Sequence, residues 1–172
     1  MAILKAQSKE KAIARNIVNF LTWHKKSDAD TMKENRQIIR YVSVNKNMVR
    51  RVMDKKSVEK YLAFYKKSGF LSDMFINNLR GYFYEIGITL AKSPLIKKGE
   101  IIKIQGLDID EILQSDEPEL LMDNIDKSHF KKIVVLSNKA IVQLYTPNSE
   151  ITTVFTLTKV NDVWLIDYIG YG

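Results

Sequence analysis

The chain has 172 residues, 45% hydrophobic and 27% charged, with a formal charge of +7, two histidines and no cysteine. This is enough for one domain with a sizeable core; no apolar run reaches the ~18 residues of a membrane span, and disulfides, thiolate nucleophiles and zinc–thiolate sites are excluded. The charge is polarised, with 22 basic and 9 acidic residues up to Lys103 against 5 and 11 from Ile104 onward.

The first predicted element is a helix over 8–26, with Ser8 as its N-cap. Ile13, Ile17, Phe20, Leu21 and His24 repeat at helical spacing and make one apolar stripe. Ser27-Asp28-Ala29-Asp30 reads as a polar turn. Thr31 to Asn47 is ambiguous: Ile38, Ile39, Tyr41, Val42 and Val44 fit a short strand or the approach to a helix. A short helix is expected from Lys46 to Met53.

Ser57 is the expected N-cap of a helix over 57–68, in which Val58, Tyr61, Leu62 and Tyr65 form the apolar stripe and Gly69 the stop. Ser72-Asp73 opens the next helix, over 72–91, with Phe75, Ile76, Leu79, Phe83, Ile86 and Leu90 on one face and Pro94 at its end. Gly81 and Gly87 inside it cost roughly 1 kcal/mol each relative to Ala, so close packing or a bend is expected there. Glu100–Ile104 fits a short strand, and the acidic–apolar stretch after Gly106 reads as a long loop of the kind that often carries function.

From 132 to 169 the pattern changes to a β-meander: Lys132–Leu136, Ala140–Tyr145, Ile151–Leu157 and Val163–Ile169. The breaks are Ser137-Asn138-Lys139, Pro147-Asn148-Ser149 and Val160-Asn161-Asp162, all turn formers. In the last strand Trp164, Ile166 and Tyr168 alternate against Val163, Leu165, Asp167 and Ile169. Both faces are rather apolar, which suits a central strand covered on both sides, a cavity wall, or a sheet interface. The chain therefore reads as one α+β domain over 1–172, N-terminal helices packed on an antiparallel C-terminal sheet, with Trp164 and Phe83 buried.

Chemistry-bearing motifs are sparse. There is no phosphate loop, no histidine pair at metal-binding spacing and no Ser-His-Asp arrangement, so no metal or cofactor is expected. Asp108, Asp110, Glu111 and Asp116 alternate as calcium ligands do, but Ile109, Ile112 and Leu113 interrupt them and anchor the loop instead. Candidate pocket-lining residues are Trp23 and His24 at the end of the first helix, and Tyr61, Tyr65, Tyr82 and Tyr84 on the next two. Trp164 and Asp167 on the last strand join them. His24 also fits as a core-edge residue continuing its stripe. The basic run Lys46, Arg50, Arg51, Lys55 and Lys56 would make a cationic face on a helix. The acidic second half opposes a nucleic-acid backbone, so no affinity for a generic duplex is expected near physiological salt. The lysine excess reads as solubilisation of exposed faces, because geometric phosphate recognition leans on arginine.

Helices followed by a meander that ends Asn161-Asp162-Val163-Trp164-Leu165-Ile166-Asp167-Tyr168-Ile169 resemble the cone-shaped domains of the nuclear-transport-factor-like, or cystatin-like, superfamily. Within it the chain is similar to uncharacterised, often exported bacterial domains, through Tyr41-Val42-Ser43, Ser68-Gly69-Phe70-Leu71-Ser72-Asp73 and Leu107-Asp108-Ile109-Asp110. In that group a Pro, a large apolar residue and then a Gln-Asp pair would follow the second Asp. Here Glu111-Ile112 and Ser115-Asp116 stand in those places. The resemblance implies a curved sheet around helices with a pocket between them. Three readings follow from it and from the residues. The first is a non-catalytic binding or interaction module of the bacterial envelope, taking an unknown small ligand or protein partner, with a homodimer through the sheet as one arrangement. The second is a small-molecule isomerase or dehydratase, with Asp167 or His24 as base and Tyr82 or Tyr84 on a developing oxyanion. It requires base and hydroxyl to converge on one enclosed space. The third is an anion-binding protein using the basic half. Lys5-Ala6-Gln7-Ser8 would suit the region after a cleavage site. The expected location is periplasmic or secreted if a signal precedes Met1, and cytoplasmic otherwise.

Overall fold

Two periodicities divide the chain, 3.6 residues over most of its first half and 2 over its last forty, and a computed structural model shows how they assemble. It describes residues 2–30, 37–147 and 151–172, with side chains over 9–27, 37–147 and 151–172. In chain order come α1 (Ala2–Asp30), β1 (Ile39–Ser43), β2 (Met48–Met53), α2 (Lys55–Lys67), α3 (Asp73–Lys92) and β3 (Ile96–Lys97). The short α4 (Pro118–Met122) follows, and then β4 (His129–Leu136), β5 (Lys139–Thr146), β6 (Ile151–Val160) and β7 (Val163–Tyr171). The strands form two antiparallel sheets, ordered β1-β2-β3 and β4-β5-β6-β7. The protein is thus α+β, with a helical N-terminal part and a C-terminal antiparallel meander.

Ile13, Ile17, Phe20 and Leu21 of α1 meet Phe155 and Leu157 of β6 and Trp164 and Ile166 of β7 in one buried core. Tyr61, Leu62 and Tyr65 of α2 and Phe75, Leu79 and Phe83 of α3 belong to the same cluster. Trp164 and Phe83 are buried, as the sequence suggests. The Asn161-Asp162 turn has both residues at positive φ, 48° and 65°, the backbone that a two-residue hairpin between twisted strands demands. Part of the Pro147-Asn148-Ser149 turn lies outside the described residues, as does the stretch 31–36.

Several expectations are corrected. The first helix starts at Ala2 and runs to Asp30, so Ser8 lies inside it and Ser27-Asp28-Ala29-Asp30 is its last turn. Lys46–Met53 is not a helix. Asn45 Oδ1 accepts from the N–H groups of Asn47 and Met48, at 3.0 and 2.9 Å, and turns the chain into β2, which pairs with β1 from Val49–Ser43 to Met53–Ile39. The side-chain amide outcompetes a helical turn there, as short polar residues do. The N-cap of α2 is Asp54, whose carboxylate accepts from Lys56 N at 3.1 Å, and not Ser57. Glu100–Ile104 forms no strand; Ile96–Lys97 pairs with β2 in its place. Ser72 caps α3 through Phe75 N, and Gly69 leaves α2 at φ 77°, both as expected. Gly87 allows a close approach of α3 to β2, since a Cβ there would lie 3.2 Å from Met53 Cβ, whereas Gly81 faces open space.

β7 is the last strand of its sheet, not a central one. Its free edge is partly covered: Ser72 N donates to Ile166 O at 2.9 Å and Ile166 N to Phe70 O at 2.8 Å. Thr156 pairs with Tyr168 and Leu157 with Ile166, so Asp167 is an extra residue in a β-bulge. Alternation therefore shifts there. Ile169, paired with buried Phe155, shares the inner face with Trp164 and Ile166, while Tyr168 is half exposed on the outer face. The sequence reading had these two the other way round.

Replacing the α2 cap gives a simple check. Asp54→Ala is expected to cost about 1 kcal/mol, as loss of an N-cap does. Ser57→Ala, inside the helix, should stay within about 0.5 kcal/mol of the parent. Equal losses in urea unfolding would contradict the Asp54 assignment.

Candidate functional site

α3 carries two apolar stripes. One is buried through Phe75, Ile76, Leu79, Phe83, Ile86 and Leu90, the first four within the main core cluster. The second, with Tyr84, Gly87, Ile88 and Ala91, faces a groove of about 550 Å³. Val52 and Met53 of β2 and Val58 of α2 supply the opposite wall, and Phe83 contributes to the floor. The volume is in the range of small-molecule sites, roughly 300–1,000 Å³. Charged side chains line its margin. Arg80 grips Glu59 in a two-point pair, Nε to Oε1 at 2.8 Å and Nη2 to Oε2 at 3.0 Å, and its Nη1 donates to Asn77 Oδ1. That guanidinium holds the Glu59 carboxyl below its usual range, by its hydrogen bond first and its charge second. Lys55, also on the margin, makes no ion pair with a described residue. Near Ala91, Arg50 Nη1 donates to the Ala91 carbonyl at 2.9 Å.

A second constellation is fully buried. The α1 stripe carries His24 inward, stacked on Phe20 with centroids 5.8 Å apart. Its Nε2 lies 3.0 Å from Asp110 Oδ2, and its Nδ1 lies 3.2 Å from the Tyr65 hydroxyl. A carboxylate only accepts, so Nε2 carries the proton toward Asp110, and in the neutral ring Nδ1 accepts from Tyr65. Asp110 Oδ1 accepts from Ile112 N and Leu113 N, at 2.9 and 2.7 Å. Its backbone exchanges hydrogen bonds with Ser115. Burial works to raise the Asp110 pKa, but the His24 bond and charge and the two backbone N–H groups outweigh it and leave the carboxyl below its usual value. Tyr61 beside this network is pushed well upward by burial, then by Tyr65 and by the charge of Glu111. His24 and Tyr65 are 0% exposed. This chain of groups fastens the loop around Asp110 to α1 and α2 rather than presenting a base to a substrate.

A smaller cavity of about 230 Å³ lies between α3 and the end of β7. Tyr82, Glu111 and Asp167 line it, together with Phe75, Leu79 and Ile169. The Tyr82 hydroxyl donates to the Gly106 carbonyl at 2.5 Å, and burial, Glu111 and Asp108 raise its pKa. The Asp167 carboxylate accepts from the Thr158 hydroxyl and has Lys139 Nζ 3.5 Å away.

The candidate residues are thus divided. Tyr84 lines the groove and is 61% exposed; Tyr82 and Asp167 line the smaller cavity. Tyr61, Tyr65 and Trp164 are packed in the core, and Trp23 stacks on Phe64 at 5.4 Å. His24 and Asp110, singled out separately in the sequence, meet each other. Asp108 is exposed and caps Gly106 N, Asp116 is exposed, and Asp110 is buried, so the three do not gather on one ion. Among the described residues no group of three His, Asp or Glu is placed to hold a metal. The basic run does not form one helical face. Lys46 is in a turn, Arg50 points to Ala91, Arg51 is buried with Nη1 3.4 Å from the Ile102 carbonyl, and Lys55 and Lys56 open α2. Sequence reasoning missed the groove. Its signal was the second stripe Tyr84, Gly87, Ile88 and Ala91, three and four residues apart. Comparison with protein-family models, curated proteins and solved structures finds no match.

Proposed function

We propose that the protein is a non-catalytic binding module of the bacterial cell envelope, related to the nuclear-transport-factor-like superfamily, with the groove between β2, α2 and α3 as its binding site. The groove carries this reading: it is the largest of the cavities described above, and its walls are apolar. The arrangement of helices before a meander supports the family part. In His24, Asp110 and Tyr82, the polar groups suited to proton transfer are engaged with one another or with backbone. No helix of the described residues is long and apolar enough to cross a membrane. A homodimer through the outer face of the meander, where Ile141, Val163 and Tyr168 are exposed, belongs to the same proposal.

Native mass spectrometry of the protein after incubation with envelope extract tests it. A retained small molecule, lost when Ala91→Trp fills the groove, is the expected result. Retention of nothing, or retention unaffected by Ala91→Trp, would remove the groove from consideration. One observation favours the isomerase or dehydratase reading: Tyr82, Glu111 and Asp167 share a cavity. Turnover of a small carbonyl compound that Asp167→Asn abolishes would put that reading first.

A further inference from the structure

We infer that the groove takes a single-chain anionic amphiphile, an alkyl chain ending in a carboxylate, with its head at Lys55. This rests on the groove being the binding site and names what would fill it. The first argument is shape. The stripe from Arg80 to Ala91 spans three turns of α3, so the groove is about 16 Å long at 1.5 Å per residue. An extended alkyl chain can lie along that length against the apolar wall of α3.

The second argument is the distribution of polarity. Val52, Met53, Val58, Ile88 and Ala91 offer no side-chain hydrogen bond along the walls. A ligand rich in polar groups would leave those that face the walls unpaired. An alkyl chain loses nothing there and gains from leaving water. The third argument is charge. Glu59 and Arg80 neutralise each other in their two-point pair. Asp54, next to Lys55, keeps its negative charge but is not part of the groove lining and turns its carboxylate to Lys56 N. The Lys55 ammonium is the lining charge left without an ion-pair partner among the described residues, and Arg50 adds a second positive charge near Ala91, bound there only to a carbonyl. The margin is therefore net cationic, in the half of the chain that carries the basic excess. An anionic head complements it, and a cationic head of the same chain length does not.

Titration calorimetry of the full chain with laurate, dodecanol and dodecyltrimethylammonium, each below its aggregation concentration and at low salt, tests this. Laurate is expected to bind at least tenfold more tightly than dodecyltrimethylammonium, and added salt should narrow the gap. Lys55→Glu should weaken laurate roughly five- to tenfold, the scale of one exposed charge removed and reversed. Ala91→Trp should abolish binding of all three, with Ile88→Gln as a second block and thermal melting to confirm that each variant is folded. If dodecanol binds as tightly as laurate and Lys55→Glu changes nothing, the anionic assignment is overturned while the groove stands. If none of the three binds, or if binding survives both blocking variants, the amphiphile and the groove fall together.

Discussion

Asp110→Ala is expected to destabilise the protein by about 3–5 kcal/mol, the range for removing one partner of a buried charged pair. The carboxylate holds His24 Nε2 and two backbone N–H groups in a setting that water does not reach. Its loss would leave three buried donors unpaired and free the loop from α1. Asp110→Asn should cost less, because an amide oxygen still accepts from Ile112 and Leu113. The same carboxyl sets a pH dependence. Its folded pKa lies below the ordinary value of 3.8, so the unfolded chain binds the proton more readily. The contribution is therefore complete above about pH 4–5 and is lost as pH falls through the folded pKa. Urea unfolding across this acid range should show the parent losing more stability than Asp110→Asn. A loss under about 1 kcal/mol for Asp110→Ala at neutral pH would show that the fastening does not bear on the fold.

Phe83→Ala should be of similar size, about 3–5 kcal/mol, from lost transfer energy and the cavity left behind. Phe83 is 1% exposed and meets the Tyr61 ring edge-on at 5.6 Å. It also belongs to the groove floor. The variant should thus differ from other core truncations in a second way, by deepening the groove. Ile17→Ala, equally buried but remote from the groove, is the comparison. Both should melt earlier, and only Phe83→Ala should change laurate affinity. Equal affinities in the two variants would detach Phe83 from the groove.

The large architecture was legible because it rests on period. Ile13 to His24, Val58 to Tyr65 and Phe75 to Leu90 announce helical faces, and 132–169 announces a meander. What failed was local. Lys46–Met53 has a helix-compatible composition, and only the Asn45 side chain, bonding two backbone N–H groups, turns it into a strand. The meeting of His24 with Asp110 spans 86 positions and has no sequence period to betray it. Its one hint was that both sit beside apolar residues destined for the core. The groove was hidden because the core-facing stripe of α3 accounts for a helix by itself. α3 has two, and the second stripe was readable in Tyr84, Gly87, Ile88 and Ala91.

The bulge at Asp167 bears on how this strand tolerates changes in length. A one-residue insertion in a strand ordinarily turns every later side chain to the wrong side. Here the extra residue is absorbed locally, and the four side chains that meet β6 on the inner face are Trp164, Ile166, Ile169 and Tyr171. A chain shortened by Asp167 would present the same four in strict alternation. Deleting Asp167 is therefore expected to keep the later side chains on their present faces and to cost the buried contacts of its carboxylate with Thr158 and Lys139.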